Sequence, residues 1–346
     1  MSIRPPRAWL WLAAVAGLLS ACVACADDDP RRWLTEMNQA LAGRNYQAEV
    51  LHRGHGPVEK LRIFHRVHEG HVAERLVNMS PPGREFVRHD AELQCYLPDQ
   101  GTVLTETRSD RGSLFGTVPT FDADVEKNYR VEFGGRARIL SRTARLVQVT
   151  PRDAYRFGYR LWIDEESKIP LVTELCDAFG QKLEEVLFTS LEIDGPLPDA
   201  LFRTSLDTSR YVWSRQASDP PPVQGATVPW RLSRMPPGFR LSSVGEEHMP
   251  GSDQPATHLV ISDGLASVSV FIEGPPAPPR RPTNGRGQAG SAAVYMKFTG
   301  GHQITAVGEV PPATLEFIAS GVSPVPPARD SLDLADAARP RVQPQP

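Results

Sequence analysis

The chain has 346 residues, with 38 Lys and Arg against 41 Asp and Glu for a net charge of −3, and 40% hydrophobic residues. A balance this close to neutral, without a compact basic stripe interleaved with aromatics, excludes non-specific nucleic-acid binding as a main activity. The length exceeds one ordinary domain and suffices for two hydrophobic cores.

Arg4 and Arg7 precede an apolar run from Trp9 to Leu19. That run is too short to span a bilayer and has the length of a secretory h-region. Ala24-Cys25-Ala26 supplies a cleavage site, so residues 1–26 read as a signal peptide and Asp27 as the mature N-terminus. Leu19-Ser20-Ala21-Cys22 offers another outcome, lipidation of Cys22; the intact A-x-A site favours soluble release. Cys95 and Cys176 lie beyond the leader. In an oxidising compartment they could form a disulfide; the alternative is that both are small core residues of neighbouring strands.

Asp29 can cap a helix and Pro30 fits its first position, with Trp33, Leu34, Met37, Ala40 and Leu41 at helical spacing before Gly43. From Tyr46 to about Leu197 the pattern changes to short strands separated by turn clusters such as Gly54–Pro57, Pro81–Gly83 and Pro98–Gly101. Such spacing predicts an antiparallel curved sheet or open barrel. The stretch Arg152–Ile193 reads as three strands. In its first strand Phe157, Tyr159, Leu161 and Ile163 alternate with mixed residues, giving one apolar face.

Residues 27–204 therefore read as a first domain, and the Ser-, Asp- and Pro-rich 205–227 as a linker. A second domain, 228–321, carries strand patterns at His258–Ser262 and Ala266–Glu273 around an Asp263-Gly264 turn. Two further strand-like runs, Ala292–Phe298 and Gln303–Gly308, precede a helix from Pro312 to about Ser320. The Pro-rich tail 322–346 lacks hydrophobic periodicity and reads as disordered. The fold class expected is α+β.

Six of the nine histidines fall between His52 and His89. The segments around His65, His68 and His71 read as two strands with Gly70 in the turn, which scatters the imidazoles and argues against a metal site. No nucleophile elbow, S-x-x-K motif or P-loop occurs, and Asp164–Glu166 sit in a turn. Binding is the better default than catalysis, and no cofactor is implied.

Five blocks, in order, carry a resemblance. HRVHEGHVAERLVNMSPPGREFVRHDAELQCYLPD (His65 to Asp99), YRLWIDEESKIPL (Tyr159 to Leu171), MPPGF (Met235 to Phe239), SDGLASVSVFIE (Ser262 to Glu273) and GHQITAVGEVPPAT (Gly301 to Thr314) are similar to the RseB/MucB family of periplasmic sigma-factor regulators. The resemblance implies a large, half-open antiparallel barrel like the lipoprotein carriers of the envelope, lined by apolar side chains, and a smaller α+β domain. On that reading Phe157, Tyr159, Leu161 and Ile163 line a lipid pocket. The smaller domain and the groove between domains engage an anti-sigma factor, which makes Asp263, Gly264, Leu265 and Phe239 contact candidates. The GLASVSVF segment is expected to be a sheet edge able to accept a partner strand.

The resemblance also implies the partners: the periplasmic segment of a transmembrane RseA/MucA-like anti-sigma factor, and lipopolysaccharide or lipoprotein acyl chains as the signal that triggers its release. Oligomeric state is left open, a homo-oligomer included. The alternative is a periplasmic lipid or lipoprotein carrier, for which the second domain has no evident use.

Overall fold

The computed structural model describes residues 29–107, 114, 123–215, 230–248, 254–275, 283–289 and 292–325. The leader, with its Cys22, and most of the Pro-rich tail lie outside the described residues. Helix α1 (Pro30–Gly43) begins as the sequence predicts, with Asp29 Oδ1 accepting from Arg31 N at 3.0 Å. Its buried residues are Trp33, Leu34, Met37, Ala40 and Leu41, a single apolar stripe.

Twelve strands form the large sheet. They are β1 (Tyr46–Arg53), β2 (Glu59–His68), β3 (His71–Asn78), β4 (Glu85–His89), β5 (Glu92–Leu97) and β6 (Thr102–Thr107); then, after the short helix α2 (Ala123–Asn128), β7 (Tyr129–Ile139), β8 (Arg142–Pro151), β9 (Gly158–Asp164), β10 (Pro170–Cys176), β11 (Lys182–Ile193) and β12 (Val212–Arg215). Their order is β12-β6-β5-β4-β3-β2-β1-β11-β10-β9-β8-β7. The sheet has two unpaired edges among the described residues, so it is open rather than a closed barrel. Neighbours are antiparallel except that β12 runs parallel to β6, one departure from the all-antiparallel expectation.

The two faces are covered differently. On one, the α1 stripe packs against Tyr46, Ala48, Val50, Ile63, Val147, Leu161, Ile163 and Phe188. On the other, the segment after β11 folds back, placing Leu197 and Phe202 on Phe64 and Ala73, and Leu206 and Tyr211 on Val87, Tyr96 and Val103. Arg75 ties this cover down, donating to Leu201 O at 3.3 Å and Ser205 Oγ at 2.9 Å. Residues 205–215 thus belong to the large domain and are not linker; β12 is their last element.

The small domain begins with β13 (Trp230–Leu232) and continues as β14 (Arg240–His248), β15 (Pro255–Ser262), β16 (Ser267–Glu273), β17 (Gly285–Ala289), β18 (Ala292–Thr299), β19 (His302–Gly308), α3 (Pro312–Ser320) and β20 (Val322–Pro324). Its main sheet runs β14-β15-β16-β19-β18-β17, and α3 lays Leu315, Ile318 and Ala319 onto it. β13 pairs with β20, so Val322–Pro324, expected to start the disordered tail, instead close the domain. From Ser267 on, the GLASVSVF segment lies in β16, flanked by β15 and β19. An interior strand has its backbone groups already paired, so it is not the edge expected of it. No helix among the described residues is long and apolar enough to cross a membrane.

Candidate functional site

Register aligns a continuous row of side chains across the α1 face of the large sheet. Ala48 lies opposite Ile63, Ile63 opposite Leu76, Leu76 opposite Phe86, Phe86 opposite Cys95 and Cys95 opposite Leu104. Directly opposed residues share a face, so the six make an apolar band across six strands. Ala48 and Ile63 are buried under the core, whereas Leu76, Phe86, Cys95 and Leu104 are half-buried. The band therefore leaves the packed core and emerges toward the β6 edge.

Two residues along each strand the chemistry changes. Tyr46, His65, Glu74 and Arg88 are aligned by the same pairings, and all four are buried. The His65 ring stacks on Tyr46 at 5.1 Å, and its Nδ1 lies 2.7 Å from Arg44 O. Arg88 Nη1 reaches Glu74 Oε2 at 3.1 Å, and Glu74 also accepts from Leu114 N at 3.1 Å. Burial pushes the His65 pKa below the usual histidine value, outweighing the pull of Glu74.

The predicted lipid-pocket residues do not line an opening. Leu161 and Ile163 are fully buried within the core under α1, Tyr159 packs at its margin, and Phe157 lies in the loop before β9. The alternation was read correctly, but α1 already fills the space those side chains face. The disulfide is likewise not formed. Cys95 is on β5 and Cys176 on β10, with five strands between them in the sheet. The hairpin with Gly70 in its turn forms as expected, but its register sets His68 directly opposite His71 rather than scattering the two.

The small domain meets the large one through the residues predicted to contact a partner. Asp263 is 1% exposed and Leu265 6%, and Leu265 belongs to the core cluster of the large domain. Asp263 forms an ion pair with Arg156 Nη1, and Tyr129 OH donates to Asp263 Oδ2 at 3.0 Å. The other carboxylate oxygen, Oδ1, accepts from Leu265 N at 2.9 Å and Ala266 N at 2.7 Å, which shapes the turn. Arg156 also donates to Asp153 Oδ1 at 3.0 Å and to Pro237 O at 2.5 Å, and lies over the Phe239 ring at 4.9 Å. Burial, then the nearby Asp263 charge, drives the Tyr129 pKa far up, so this phenol stays a hydrogen-bond donor.

Backbone geometry supports the same junction. Gly238 has φ +80°, and a Cβ there would come within 2.2 Å of the Asn128 side chain. Only glycine fits so close an approach in that conformation. Thr314 Oγ1, in the first turn of α3, donates to Tyr155 O at 2.9 Å, and Phe317 packs on Tyr155. Asp263, Gly264, Leu265 and Phe239, offered as contacts for a separate partner, gather around Arg156 and the core of the large domain. Leu265 does not present a free apolar tip. Arg156 is the residue the sequence reading missed; an arginine beside a strand ordinarily stays solvated, and only the distant Asp263 reveals its role.

An open sheet with an emerging apolar band, joined to a second domain through a buried ionic clasp, defines a two-domain binding protein. The chain belongs to the MucB/RseB family: residues 29–206 match the MucB/RseB N-terminal domain and residues 224–323 the MucB/RseB C-terminal domain. It is 30% identical to the sigma factor AlgU regulatory protein MucB of Pseudomonas aeruginosa, covering 90% of this chain and 96% of that protein. It is 27% identical to the sigma-E factor regulatory protein RseB of Escherichia coli K12, over 91% and 97%. Among solved structures, the P. aeruginosa MucA/MucB complex superposes with a TM-score of 0.66 at 29% identity, covering 86% of this chain and 99% of that one. A crystal structure of MucB gives 0.60 at 27% identity, over 86% and 98%.

Proposed function

We propose that this protein is a periplasmic regulator that binds the periplasmic segment of a membrane-spanning anti-sigma factor and shields it from regulated proteolysis, keeping the sigma factor sequestered. The observation that carries this reading is similarity over both domains to proteins named as sigma-factor regulators, one of them crystallised with MucA. The chemistry is binding, with no cofactor required.

The signal, on this reading, is an acyl chain of lipopolysaccharide or lipoprotein type received on the emerging band of Leu76, Phe86, Cys95 and Leu104. The band joins the core that contains Leu265, so a ligand that rearranges that core changes the seat of the small domain. Such coupling needs the ligand to favour one domain arrangement over the other. A lipid carrier would share the band but have no use for the clasp, and the buried Arg156–Asp263 pair favours the two-domain reading.

The test is calorimetric titration of the mature protein with the soluble periplasmic segment of the anti-sigma factor encoded in its own genome. Saturable one-site binding supports the reading. Absence of binding, together with transfer of a labelled lipid between vesicles, would establish the carrier.

A further inference from the structure

Three hairpin turns in succession along one end of the large sheet carry exposed apolar residues. In the order β4-β3-β2-β1-β11-β10, the turns joining β3 to β4, β1 to β2 and β10 to β11 all fall at the same end. Phe179 sits within the β10–β11 turn, Met79 where the β3–β4 turn leaves β3 and Val58 where the β1–β2 turn enters β2; they are 92%, 43% and 54% exposed. Met79 continues β3 opposite Lys60, so Val58 and Met79 are diagonal neighbours across the β2–β3 pairing, and Phe179 lies on the same rim beyond β1 and β11. Single exposed apolar residues are ordinary on any protein. An aligned set on one rim marks a contact surface.

The display is built into the turns. Asp177 Oδ1 accepts from Phe179 N at 2.9 Å and Gln181 N at 2.8 Å, closing the turn that projects the ring. Met79 N donates to Lys60 O at 2.8 Å, and Asn78 Oδ1 accepts from Ser80 N at 2.9 Å. Bases behind the exposed side chains are each paired with a carboxylate: Arg53 with Glu185, Lys60 with Glu49, Arg84 with Asp99. These bases therefore add no unpaired positive charge beside the apolar residues. The small domain docks on the adjoining loop between β8 and β9, leaving the three residues uncovered.

We propose that this rim dips into the headgroup region of a lipid bilayer, as a weak, reversible contact that orients the protein on the membrane. Two small apolar spots on one rim, Phe179 and the Val58–Met79 pair, suit a fluid interface, which admits each independently; a protein partner would need a continuous complementary surface. That a bilayer lies within reach rests on the function proposed above, whose partner spans one.

Co-sedimentation with phosphatidylethanolamine/phosphatidylglycerol vesicles tests the proposal, comparing the mature protein with the triple variant Val58→Ser, Met79→Ser, Phe179→Ser. The expected result is vesicle binding by the parent and a partition at least about tenfold lower for the variant, with unchanged melting temperature and unchanged affinity for the soluble anti-sigma segment. No vesicle binding by the parent, or equal partition of the two proteins, overturns it. So does loss of soluble-segment affinity in the variant, which would assign the rim to the protein partner. Vesicle binding without any affinity of the parent for the segment would overturn the regulatory function and leave the membrane contact standing.

Discussion

Arg156 and Asp263, 107 residues apart in sequence, form an ion pair in which neither side chain has exposed surface. A buried pair of this kind is weak evidence for net stability, but removing one partner leaves the other charge stranded. Asp263→Ala should therefore cost about 3–5 kcal/mol by chemical denaturation. The radius of gyration in solution scattering should rise as the domains separate. The pair Arg156→Met with Asp263→Leu should recover part of that loss. A single variant of unchanged stability and compactness would show that the clasp does not hold the domains.

Leu265 sits in the large-domain core at 6% exposure. Leu265→Ala should destabilise by about 2–4 kcal/mol through the cavity it leaves. A pure loss of partner affinity, with the melting temperature unchanged, would return this residue to the role of an exposed contact.

The apolar band and the packed core differ in their response to charge. Leu161 has no exposed surface, so Leu161→Asp should unfold the large domain, since a carboxylate there costs several kcal/mol. Phe86 is half-buried on the band, and Phe86→Asp should leave the far-ultraviolet dichroism intact while abolishing binding of a fluorescent fatty acid. Normal probe binding by folded Phe86→Asp would move the acyl site elsewhere.

The buried His65 makes stability depend on pH. Its charged form is disfavoured by burial, so the unfolded chain takes up the proton first as pH falls below the usual value near 6.5. Its contribution is complete above that value and is lost as pH falls toward the depressed folded value. His52 acts in the opposite sense: its hydrogen bond to Glu184 raises its pKa, so its contribution is present below about 6.5 and lost as pH rises through the raised value. On going from pH 7.5 to 5.5 the urea midpoint should therefore fall more, or rise less, in the parent than in His65→Gln. An equal change in the two would remove His65 as the cause.

Local pattern revealed much of this molecule. The Asp29 cap and the Trp33, Leu34, Met37 stripe specify α1 because capping and helical period are properties of adjacent residues. The strand alternation at Tyr159–Ile163 was equally legible. What occupies the space beyond a strand is not a local property, so α1 over Leu161 and five strands between Cys95 and Cys176 could not be read from spacing. The same holds for β16, whose apolar pattern suits an edge or a centre alike, and for Arg156, which acquires meaning only beside Asp263.

Protection of the partner tests the central claim most directly. The rate at which the regulatory site-one protease cuts the anti-sigma factor's periplasmic segment should fall at least about tenfold when this protein is saturating, and recover when an acyl-chain ligand is added. Cleavage at an unchanged rate, with the segment shown to be bound, would contradict the account.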